Sequence, residues 1–131
     1  MSAETAIQAA LKGVLEGIGL TVYDRAPQAD DGGSDASWPY VTIGYTALSE
    51  WDTFTETGFE FTARLHTRSR SGSFAEAKTI QGQMYAALHR IPMTITGFRS
   101  VVLIRQSSDC TDAPDDTIHG VCEYRGLIQA T

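Results

Sequence analysis

The clearest periodicity in the chain lies at Gly58–Arg68, where Phe59, Phe61, Ala63 and Leu65 alternate with Glu60, Thr62, Arg64, His66 and Arg68. A two-residue period of this kind predicts a strand with one apolar and one wet face, as in an antiparallel sheet. Tyr40–Leu48 repeats the pattern, with Val41, Ile43 and Tyr45 against Thr42, Gly44 and Thr46. A short strand over Thr21–Arg25 precedes it. Two more are expected at about Phe98–Gln106 and Thr117–Ile128, the last with Ile118, Cys122, Tyr124 and Ile128 inward.

Helical spacing occurs twice. Ile7, Leu11, Val14 and Ile18 share one face behind Ser2, an N-cap residue, and Glu4, an anion in the first turn. Beside them Ala6, Ala9, Gly13 and Gly17 form a strip narrow enough for another backbone to approach. The helix's own sheet is the preferred neighbour, and another subunit is the alternative. The second helix opens on Ser73-Phe74-Ala75-Glu76, the pattern of a capping box. Ala77, Ile80, Met84, Leu88 and Ile91 form its stripe, His89 and Arg90 sit in its expected last turn, and Pro92 stops it.

Between these elements lie Ala26–Pro39, rich in Asp, Gly and Pro, and the acidic stretch Ser107–Asp116, both read as loops. The order is therefore α-β-β-β-α-β-β. It predicts an α+β domain: a mainly antiparallel sheet of about five strands with two helices packed on one face.

A chain of 131 residues fits a single domain spanning 1–131. With 42% apolar and 20% charged residues it has the balance of a folded protein rather than a disordered one. The formal charge of −6 opposes non-specific nucleic-acid binding, which depends on Lys and Arg displacing counterions from phosphate. A local exception stays open at Arg64, Arg68 and Arg70, which with Ser69, Ser71 and Ser73 approach a helix N-terminus. They read either as an anion or nucleic-acid site or as the charged wet face of a strand. Cys110 and Cys122 are expected to be free thiols in a reducing compartment. No signal peptide is evident, and no apolar run approaches the ~20 residues of a membrane span, so a cytosolic protein without a membrane partner is expected.

Motifs that carry chemistry are missing. The chain has no nucleophile elbow, phosphate-binding loop, dinucleotide fingerprint or His-Glu-x-x-His. His66, His89 and His119 read as surface residues, since a zinc site needs three or four convergent ligands. The Asp-rich stretches lack the spacing of a calcium loop. The expectation is a non-enzyme with no catalytic residue, no cofactor and no metal. Ser49–Thr57 is polar except for Trp51 and Phe54, which with Asp52 and Glu56 read either as an interface or as a plug in the core.

Several stretches together carry a resemblance. They are Val22-Tyr23-Asp24-Arg25 with Pro27, Trp38-Pro39-Tyr40-Val41-Thr42-Ile43-Gly44, Thr55-Glu56-Thr57-Gly58 leading to Leu65-His66, Glu76-Ala77-Lys78, and Ala86-Ala87-Leu88-His89. In this order the chain resembles the tail-terminator, or tail-completion, family of long-tailed bacteriophages and gene transfer agents, from Ser2 to about Ile128. The resemblance implies a structural subunit that forms a six-membered ring on the tail tube and stops its growth. The ring would then join the tail to the head's stopper or connector. It also implies, as partners, other copies of the chain and the major tail tube protein, with DNA passing through the lumen unbound. Assembly would take place in the host bacterial cytoplasm, and the protein would end in the tail or neck of the particle. Another neck or minor tail subunit is the near alternative, and a nucleic-acid-binding module using Arg64, Arg68 and Arg70 the distant one.

Overall fold

The computed structural model describes residues 2–23, 38–50, 58–112 and 117–130. Its elements are α1 (Ala3–Gly17), β1 (Val22–Tyr23), β2 (Tyr40–Glu50), β3 (Gly58–Ser69), α2 (Phe74–Leu88), β4 (Phe98–Asp112) and β5 (Ile118–Ala130). The expected order and fold class hold. The five strands lie in the order β1-β2-β3-β5-β4, antiparallel except for the β1–β2 pair.

Both helices bury most of their stripes in one cluster on a single face of the sheet, although Ile18, expected on the α1 stripe, lies just past the end of the helix and is exposed. Ile7, Leu11 and Leu15 from α1 and Ile80, Met84 and Leu88 from α2 meet Val41, Ile43, Phe61, Leu65, Leu103, Tyr124 and Ile128. Ser2 caps α1 as expected, its hydroxyl accepting from the Thr5 N–H at 3.2 Å. The small-residue strip departs from expectation. Ala6 is buried, but Ala9, Gly13 and Gly17 face outward, and a methyl group added at either glycine would meet nothing. The helix rests on its sheet through larger side chains instead.

Four local readings are corrected. The capping box does not close, because the Glu76 carboxylate takes the Ser69 hydroxyl at 2.6 Å while Ser73 caps through the Ala75 N–H. A buried hydroxyl at the end of β3 competes for that acid. The second helix ends at Leu88, so His89 is its C-cap and Arg90, at φ 60°, already turns away to donate its N–H to the Leu103 carbonyl. Ile91 is left exposed as a result.

The third correction concerns strand register. Ile43 pairs with Leu65 and Thr46 with Ala63, so Gly44 and Tyr45 together oppose Arg64. One extra residue in a strand reverses which face every later side chain takes. Tyr45, expected inward, therefore points out at 55% exposure, while Thr46 and Leu48 turn toward the helices. In β4 the polar residues Ser107–Asp112 continue the strand rather than forming a loop, paired through to Asp112–Ile118. β4 is an edge strand, where a polar, charged sequence is tolerated and discourages pairing with stray chains.

Candidate functional site

With both helices on one face, the opposite face of the sheet carries the polar positions of β3 and β5. Arg64, His66 and Arg68 stand on β3 beside His119, Glu123 and Arg125 of β5. Each arginine is tied to its own partner. The Arg64 guanidinium lies 4.9 Å from the Tyr45 ring centroid, and its Nε donates to Glu123 Oε1 at 3.4 Å. Arg68 Nη2 donates to Thr117 Oγ1 at 3.4 Å. Arg70 sits 4.2 Å over Trp38, whose ring meets Tyr40 edge-on at 4.9 Å.

The three arginines therefore do not converge on one anion. The N-terminus of α2 is already taken up by Ser73 and by the Glu76 carboxylate in its first turn. A phosphate placed there would meet that carboxylate. Arg64 and Arg70 instead lie over the aromatic rings of Tyr45 and Trp38, with Arg68 held to Thr117 between them.

The centre of this face is a histidine pair. His66 Nδ1 and His119 Nε2 are 2.9 Å apart, with ring planes 19° from parallel and centroids at 5.1 Å. At those distances the imidazoles meet edge to edge in nearly one plane, along an N–H···N hydrogen bond. Gly44 makes the space, since a Cβ there would lie 2.5 Å from His66 Nε2. Burial lowers the basicity of His66, helped by His119, Arg64 and Arg68. Burial also lowers that of His119, with Arg68 acting the same way and Asp109 opposing. The alternation in the sequence placed both histidines on polar faces, but their contact depends on a diagonal register that periodicity does not encode.

Toward the far end, the face becomes apolar. Leu127 is exposed beside half-buried Val102 and Ile104, flanked by the 3.3 Å ion pair of Arg125 and Glu60. Among the described residues no three His, Cys, Asp or Glu side chains group closely enough to hold a metal ion, and no helix is long and apolar enough to cross a membrane. Trp51, Asp52, Phe54 and Glu56 lie outside the described residues.

Both cysteines are free thiols. Cys110 donates to Gln81 Oε1 at 3.2 Å and Cys122 to Ser108 Oγ at 3.5 Å. Burial pushes both thiols up, so neither is a ready nucleophile. A thiol titration without reductant should find two groups after unfolding and slow reaction in the native protein, slowest at Cys122. Finding none after unfolding would mean a disulfide.

The comparisons with known proteins fit this geometry. The family model described as "Tail completion protein gp17" matches residues 5–129. No curated protein matches the sequence. A chain from the solved structure titled "Virion of native gene transfer agent (GTA) particle" superposes with a TM-score of 0.84 at 20% identity, covering 98% of each chain. At that identity the likeness establishes a shared fold.

Proposed function

The chain belongs to the tail completion protein gp17 family, structural components of phage-type tails, and from that premise we propose that it is the tail terminator subunit. In this reading several copies close a ring, expected to have six members, on the last ring of the tail tube. Growth stops there, and the ring presents a docking surface to the stopper or connector of the head.

The observation that carries the reading is the family match across nearly the whole chain. The fold adds support: one sheet face is fully used by helices, while the other bears arginines, aromatics and an apolar groove with no described element over it. A ring needs two different complementary patches on each subunit. We assign one to this sheet face, including Arg64, Arg68 and Arg70. The other is the connection holding Trp51, Asp52, Phe54 and Glu56, which joins β2 to β3. An overall charge of −6 suits a ring around a DNA channel, because a repelled duplex slides. No catalytic step is assigned.

Electron microscopy of particles made without this protein tests the proposal. Tails of irregular length, most of them separate from heads, are the expected result. Tails of normal length joined to heads would overturn it. Normal-length tails that fail to join would move the assignment to another neck subunit.

A further inference from the structure

We propose that His66 and His119 form a proton-operated latch across β3 and β5, closed when both imidazoles are neutral and forced open when both are charged. The argument starts from hydrogen-bond inventory. Two neutral imidazoles offer one N–H and one lone pair at their contact, which is what a 2.9 Å Nδ1···Nε2 distance requires. A first added proton can leave that N–H···N bond in place. A second sets two N–H donors against each other and places two positive charges edge to edge.

Most of the described surroundings make charging costly. From β3, Arg64 and Arg68 stand two residues before and after His66. From β2, Gly44 abuts His66 Nε2, and Tyr45 is engaged by Arg64. From β5, Glu123 could offset a cation but is held by Arg64 at 3.4 Å. From β4, Asp109 is, among the described residues, the one acid that favours a charged His119, and Thr111 bonds the His119 carbonyl. The helices lie across the sheet and contribute nothing here. With two imidazoles and no third ligand among the described residues, the pair is better suited to sharing a proton than to holding a metal.

The sign follows from linkage. Both histidines titrate lower in the folded protein than the ordinary value of 6.5, so the unfolded chain binds more protons as pH falls. The stabilisation is complete above pH 6.5 and is lost as pH drops from there through the lowered folded values. Because the sites are coupled, the pair titrates in two steps that belong to the pair. Acid would also turn the centre of the face from neutral to doubly positive between Arg64 and Arg68.

The test uses the full chain alone, so it is independent of whether the protein caps a tail. Assigned ring-proton NMR against pH should show both histidines titrating below 6.5, and His119→Gln should move the His66 midpoint upward toward that value. Urea midpoints at pH 7.5 and 5.0 should fall in the parent and fall less in His66→Gln and in His119→Gln. If either variant is too unstable to measure, the parent NMR titration decides. Independent titration of both rings near 6.5 would overturn the latch, as would parent-like pH dependence in both variants.

Discussion

Replacing Phe61 with alanine is expected to remove about 3–5 kcal/mol of stability, the usual cost of deleting a fully buried aromatic ring. Phe61 is 2% exposed, near the middle of the sheet, where β3 runs between β2 and β5. Against a typical total of about 5–15 kcal/mol, that loss brings the domain close to unfolding. The ring's position is set by Gly126 on the neighbouring strand, where an added Cβ would stand 3.0 Å from Phe61 Cε1 and Cζ. Gly126→Ala alone should therefore cost roughly 1–3 kcal/mol through overpacking. In the double variant the new methyl enters space the ring has left, so the two costs should sum to less than their separate values. Urea unfolding of the four proteins measures this. Strict additivity would show that the ring and the glycine do not constrain each other.

The double substitution Trp51→Ala with Phe54→Ser should abolish ring formation or tail joining, yet leave the isolated domain melting within a few degrees of the parent. Glu50 pairs with Phe59, so the two residues lie in the connection between adjacent strands whose apolar faces are already used. Burying a Trp removes ~150–250 Å² from water, worth roughly 4–6 kcal/mol gross at about 25 cal/mol per Å². Association entropy and loop ordering offset part of this, leaving enough for an interface hot spot. A pair that plugs the core would give the opposite pattern, with a large fall in monomer melting temperature. Thermal unfolding of the purified protein and assembly on tail tubes separate the two.

The parts of the fold legible in the sequence were those set by long-range periodicity. Seven elements, their order, the core residues of β3 and those of α2 up to Leu88 follow from spacing, while Ile91 falls beyond the helix end. What the spacing could not show depends on competition between neighbours. The bulge at Gly44–Tyr45 leaves composition unchanged while reversing the faces of Tyr45, Thr46 and Leu48. Ser107–Asp112 has the composition of a loop and becomes strand only because β5 offers it a partner. Glu76 sits at the right offset for Ser73, but Ser69 is the better-placed donor. The candidate face was half legible: Arg64, His66 and Arg68 were assigned to one polar side, yet the contact between His66 and His119 joins residues 53 positions apart. Gly120 is similar, vacating space for the Gln81 amide that holds the Asp109 carbonyl at 2.8 Å.

The strand order also governs when the protein can exist. β5 is the last of the five strands to be synthesised, yet it lies inside the sheet, with Gly58–Ser69 of β3 on one side and β4 on the other. Until Ile118–Ala130 has left the ribosome, β3 and β4 have no common partner and the sheet is split through its middle. Pairing between segments so distant in sequence also slows the search for the native arrangement. A nascent chain therefore holds its arginine-bearing face incomplete until β5 has emerged. Since the face spans β3 and β5, a chain that stops before β5 lacks half of it. The order of translation thus leaves this surface to be completed last among the described strands.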